Sequence, residues 1–157
     1  MHYDFNRIWL TNKFGEIERR TLKALDQLND EQVNWSPNSG SFSISTLIRH
    51  MEGNILERVN KGILFQDFVR DREAELKPVF IKSEELVFIF RTRMQVVMDT
   101  IQTMTDEQFE RTQTIRGKER TNLDILHQCA AHFSEHMGQI LYIAKQQLKE
   151  DYKSTSI

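Results

Sequence analysis

Four stretches of this chain place apolar residues at intervals of three and four, and the three connections between them hold nearly all of its turn-forming residues. Phe5, Ile8, Trp9, Phe14, Ile17, Leu22 and Leu25 predict a first helix from about Tyr3 to Leu28, ending before Asn29-Asp30. The connection NDEQVNWSPNSGSFS carries Ser-Pro and Ser-Gly turn signals, and Ser43 then suits the N-cap of a second helix reaching about Ile63. A longer connection, about 64 to 81, includes the charged run RDREAELKP. It leads into a third helix from about Ser83 to Met104, with Leu86, Ile89, Phe90, Val97 and Ile101 as core candidates. In TDEQFERTQTIRGKERT, Arg116-Gly117-Lys118 suits the tip of a short hairpin or loop. Thr121 with Asp124 three residues on reads as a capping box opening a last helix that continues to about Lys149. LNDEQV after the first helical pattern and MTDEQF after the third form a faint internal echo, each followed by a loop and a capped helix.

Only two prolines and six glycines among many Leu, Ile, Glu, Lys, Arg and Gln residues favour an all-helical chain over a sheet. The fold class expected is therefore all-α, a four-helix bundle in one domain over residues 1–150, with 151–157 (DYKSTSI) as a flexible tail. A chain of 157 residues can bury an ordinary core without disulfides or a structural metal. Its single cysteine, Cys129, rules out an internal disulfide and agrees with a reducing compartment. The net charge of −2 is spread among interleaved signs, which leaves no footprint for nucleic acid. Charges interrupt every window where a signal peptide or membrane span would need an apolar run, so the expectation is a cytoplasmic protein without a membrane partner.

The residues that point to chemistry are His50, in LIRHMEGN, and the pair His132 and His136, in CAAHFSEHMGQI. Spaced i, i+4, the pair shares one helical face, as two ligands of a single divalent metal must. His50 would supply a third ligand from the second helix, leaving a coordination position open for chemistry. At 100° per residue, Gln128 and Gln139 lie near the pair's stripe, and Asn54 lies one turn from His50. These three amides could orient ligands or substrate. His127 falls about 140° from His132 and about 180° from His136, so it cannot join them. An i, i+4 pair on a helix also occurs on surfaces and core edges, and spacing alone leaves that alternative open.

Other motifs carry less. HFSEH fits the H-x-x-E-H pattern of inverted zinc proteases, but Glu135 turns away from the apolar sector toward solvent, and a small helical domain offers no substrate-strand cleft. Cys129 beside an apolar stripe reads as a small buried hydrophobe. Arg70 and Arg72 belong to a solvated charge run, unless their loop folds over the bundle mouth and presents guanidiniums to an anionic substrate.

Across essentially the whole chain, the Ser-led helix SISTLIRHMEGN, the connection with RDRE and the terminal helix TNLDILHQCAAHFSEHMGQILYIAK resemble the DinB/YfiT-like superfamily of metal-dependent proteins. The most specific part is H-x-x-x-H-x-G-Q-I, here His132 through Ile140, paired with a histidine upstream. The resemblance implies an up-down-down-up four-helix bundle and a divalent cation, zinc or nickel, held by His50, His132 and His136. Many relatives carry a further histidine where this chain has Glu135, so that residue inherits no role. The resemblance further implies an enzyme that passes a low-molecular-weight thiol to a small electrophilic substrate. Two alternatives stay open: a metal-dependent hydrolase, and a non-catalytic metal-binding module whose bundle faces form a homodimer. No catalytic residue is assigned.

Overall fold

The computed structural model describes residues 2–156; Met1 and Ile157, the outermost residues of the expected domain and tail, lie outside the described residues. Four long helical segments account for the bundle: α1 (Asp4–Leu25), α3 (Ile44–Ile55, continued by a π-helical turn over Leu56–Lys61), α5 (Ser83–Thr103) and α7 (Asn122–Leu148). Three one-turn helices sit in the connections, α2 (Asp30–Asn34), α4 (Arg72–Leu76) and α6 (Asp106–Glu110), with one antiparallel hairpin, β1 (Thr112–Ile115) and β2 (Lys118–Thr121). The long helices agree with the periodicity, while α4 falls inside what the sequence presents as a charged loop.

Leu10, Phe14 and Ile17 of α1, Phe90, Met94 and Ile101 of α5, and Phe133 and Ile140 of α7 are all buried at helical spacing in one core. Each such side chain removed from water contributes about 1.5–3 kcal/mol, which is why these stripes govern the packing. Phe14 and Phe133 meet edge to face across it, with ring centroids 6.1 Å apart. The principal contacts run from α1 to α5 and α7, and from α3 to the same two helices. α1 and α3 therefore lie diagonally, and α3 is placed beside α7. The histidines expected to act together stand on these two adjacent helices.

The caps follow the sequence closely. The Ser43 hydroxyl accepts from Thr46 N at 3.1 Å, and Thr121 accepts from Asp124 N at 3.1 Å. The second is not a reciprocal box, because the Asp124 carboxylate instead accepts from Arg120 at 2.9 Å. The two DEQ echoes mark helix starts: Asn29 with Gln32, and Thr105 with Gln108, form complete capping boxes that open α2 and α6. Each short helix then buries one apolar side chain, Val33 or Phe109. No helix among the described residues is long and apolar enough to cross a membrane. Where a flexible tail was expected, Thr155 is buried and accepts hydrogen bonds from Arg19 and Arg20, while Gln27 pairs with the Lys153 backbone.

Candidate metal centre

His50 on α3 and His132 and His136 on α7 converge so that one ring nitrogen from each lies within 4.8 Å of the other two. His132 Nε2 is 3.2 Å from His50 Nε2 and 3.0 Å from His136 Nε2. Two of the rings are fixed from behind. His50 Nδ1 donates to Glu75 Oε1 at 2.7 Å, and His136 Nδ1 donates to Gln139 Oε1 at 2.7 Å. With Nδ1 donating, Nε2 of each ring is left as an acceptor, and both of these atoms face His132 Nε2. A divalent cation shared by the three rings would be held by these lone pairs. With bonds of about 2.1 Å in a tetrahedral site, ligand nitrogens sit roughly 3.4 Å apart, close to the two separations measured from His132. The donor set fits a borderline-soft divalent ion, and an orienting partner behind the ring is characteristic of metal-binding histidines.

Glu75 is itself held with care. Arg70 grips it through two hydrogen bonds, Nε to Oε2 at 2.9 Å and Nη2 to Oε1 at 2.7 Å, and spends a third on Glu57 at 2.7 Å. The Asp71 side chain caps α4, and Arg49 of α3 holds the Ala74 and Lys77 carbonyls, both at 2.8 Å, so the short helix is clamped onto α3. Burial opposes ionisation of Glu75, but the hydrogen bonds from Arg70 and His50 outweigh it and hold its carboxyl below the ordinary range.

Arg70 requires a correction. The sequence offers it as a grip for an anionic substrate, yet its side chain is only 4 % exposed and its donors are committed to two carboxylates. Arg72 does lie beside two of the three histidines, in a recess of about 290 Å³ that it lines with His50, His132, Arg58, Arg116 and Gln128. Arg58 carries no signal in the sequence, and Arg116 reads there only as part of a hairpin tip. Arg58 lies in the π-helical turn, and its backbone carbonyl accepts from Gln113 of β1 at 3.1 Å.

The remaining candidates resolve simply. Gln139 orients His136, Asn54 donates to the His50 carbonyl at 3.0 Å, and Gln128 lines the recess while donating to Asp124 at 3.1 Å. Glu135 is mostly solvent-exposed and 3.8 Å from His132 Nδ1. His127 faces the other way, 3.1 Å from Asn6 and tilted against Trp9. Cys129 is buried, and its thiol is pushed up to about 11 by that burial, so it is no nucleophile.

Burial, followed by the neighbouring His136 and His50 rings, depresses His132 to about 4; burial also lowers His50 despite the opposing pull of Glu75. In an unfolded chain both titrate near 6.5. Between about 4 and 6.5 the unfolded state therefore binds more protons, and the stability present above 6.5 is lost as pH falls through that window. Thermal melts of chelator-treated protein from pH 7.5 to 4.5 should show a falling midpoint whose slope is shallower for His132→Gln. An unchanged slope in the variant would contradict the depressed histidine.

A model of a family of proteins of unknown function, DUF1572, matches residues 5–157. No curated protein matches the sequence. Among solved structures, a conserved protein from Enterococcus faecalis superposes with a TM-score of 0.70 at 13% identity, over 87% of this chain and 94% of its own. A DinB-like protein from Bacillus cereus gives 0.63 at 20% identity, over 84% of this chain and 85% of its own. The chain shares its helical-bundle fold with these two proteins, and it belongs to the DUF1572 family.

Proposed function

We propose that this protein is a divalent-metal-dependent enzyme, with zinc or nickel held by His50, His132 and His136, that passes a low-molecular-weight thiol to a small electrophile. The observation that carries this reading is the convergence of three imidazoles, two of which, His50 and His132, open onto a recess whose lining contains no carboxylate. A bound divalent ion supplies positive charge that lowers the pKa of a coordinated thiol and keeps it as thiolate at neutral pH. Glu75 and Gln139 lock His50 and His136 with Nε2 turned toward His132, Asn54 is committed to the His50 carbonyl and to Arg58, and Gln128 on the recess wall carries an amide that can orient a substrate. The hydrolase alternative asks more of the same residues. Water ionises near 15.7 and a thiol near 8.5, and a hydrolytic site generally positions a base to manage protons. Glu75 cannot serve as that base, since Arg70 and His50 already occupy its oxygens. A reducing cytoplasmic compartment also suits a reaction whose nucleophile is a free thiol.

The test is single-turnover transfer from 2-mercaptoethanol to 1-chloro-2,4-dinitrobenzene. A sulfur–carbon bond forms, chloride leaves, and the thiol proton passes to solvent. Metal-loaded protein should accelerate the reaction at least about tenfold over chelator-treated protein at pH 7, where a free thiol of ordinary pKa is only a few per cent ionised. If His50→Ala, verified to be metal-free, reacts as fast as the wild type, the proposed activation is wrong.

A further inference from the structure

Arg58, Arg72 and Arg116 reach one recess from three separate elements: the π-helical turn after α3, the first residue of α4 and the tip of the β-hairpin. None of the three has a carboxylate within ion-pair distance among the described residues. The acidic groups nearby are committed elsewhere: Glu57 and Glu75 to Arg70, Glu52 to Arg93, and Asp124 to Arg120. Arg72 accordingly feels Arg70, Arg116 and Arg58 as like-charged neighbours, and after burial it is their repulsion that lowers its pKa, with Glu57 opposing. Surfaces usually intersperse the two signs, and unneutralised guanidiniums sharing a recess raise one another's energy until an anion enters.

The backbone at Arg116 adds a second line of argument. Its φ is +50°, and Gly117 follows at +73°, in the two-residue turn that joins β1 to β2. Such primed turns favour Asn, Asp or Gly at the first position, and a long side chain there carries a conformational cost. The turn nevertheless holds an arginine, and that arginine lines the same recess as His50 and His132.

We propose that the recess beside His50 and His132 recognises a small substrate through an oxyanion, a carboxylate or phosphate, gripped by Arg58, Arg72 and Arg116. The grip itself stands on the arginines alone. Its alignment with the reacting end of a thiol rests on the function proposed above. Guanidinium forks match the paired oxygens of either anion, and each charge-assisted contact is worth about a tenfold change in affinity. A volume of about 290 Å³ corresponds to roughly ten water molecules, room for a small metabolite. Substrate capture through these charges should weaken as salt rises.

Two titrations separate this inference from the thiol chemistry. In the first, chelator-treated protein is titrated with inorganic phosphate, and the arginine Nε–H resonances are followed. Saturable binding is expected, weakened at least about tenfold in Arg72→Gln/Arg116→Gln and unchanged in Arg93→Gln, whose ion pair lies outside the recess. In the second, metal-loaded protein is titrated with N-acetylcysteine and with its neutral amide. The acid should bind at least about tenfold more tightly, and the double arginine variant should reduce that preference to about twofold or less. An arginine-dependent effect in either titration supports the oxyanion site, and its absence from both overturns it. A preference for the acid that survives loss of the arginines counts as absence, because direct chelation by the carboxylate would explain it. If phosphate binding depends on the arginines while neither thiol binds, the oxyanion site stands and the thiol reading falls.

Discussion

Alanine at position 136 should remove stoichiometric divalent-metal binding, whereas alanine at position 127 should leave it intact. Both residues are histidines on α7, so the comparison holds composition and helix constant and changes only the face. His136 is buried, with Nε2 3.0 Å from that of His132 and Nδ1 anchored by Gln139. Removing it leaves two imidazoles, from two different helices, to hold an ion alone. Tetrahedral zinc sites bind with about 10–16 kcal/mol in total, so one ligand accounts for a loss on the order of a hundredfold to a thousandfold in affinity. His127 Nε2 meets Asn6, and its ring lies 5.1 Å from Trp9. Its loss should lower the melting temperature slightly through those contacts without touching the metal. Metal content after purification without a histidine tag, with affinity measured by chelator competition, decides the matter. Equal loss from both substitutions would sink the assignment of the triad.

The features legible in the sequence were those set by local rules. Helical spacing located α1, α3, α5 and α7, cap chemistry located Ser43 and Thr121, and a rotation of 100° per residue separated His127 from its neighbours. The partners of the histidines were partly legible for the same reason: Gln139 lies three residues from His136 on one helix. Glu75 was not, because it reaches His50 from 25 residues away through the docking of α4, and docking depends on non-local contacts such as those of Arg49. Arg58 was hidden by the π-helical turn. Eight residues past His50, an ideal helix would set it about 80° round, and the wider turn invalidates that count. The one-turn helices α2 and α6 were within reach, since Asn29 with Gln32 and Thr105 with Gln108 match the capping-box pattern. Read as helix ends, they concealed two starts.

Gly53→Ala should destabilise the protein and weaken metal binding together, although glycine to alanine within a helix ordinarily stabilises by about 0.5–1 kcal/mol. Gly53 lies in α3 one turn past His50's own, and a Cβ built there would fall 1.9 Å from Glu75 Oε2 and 2.6 Å from Glu75 Cδ. That overlap cannot be relieved by a small shift. The carboxylate is buried and fixed by Arg70 on one side and His50 on the other. Eviction breaks a pair whose side chains are 4% and 8% exposed, and losing one partner of a buried pair costs about 3–5 kcal/mol. Set against the helix gain, the net loss should be roughly 2–4 kcal/mol. His50 would lose the acceptor that fixes its tautomer, which typically costs 10–100-fold in metal affinity. A double-mutant cycle separates this mechanism from simple helix distortion. In a Glu75→Ala background the obstructing carboxylate is gone, and Gly53→Ala should there be neutral or stabilising by up to about 1 kcal/mol. If the glycine substitution is equally damaging in both backgrounds, Gly53 serves the α3 backbone itself, and the close approach of Glu75 is not what requires it.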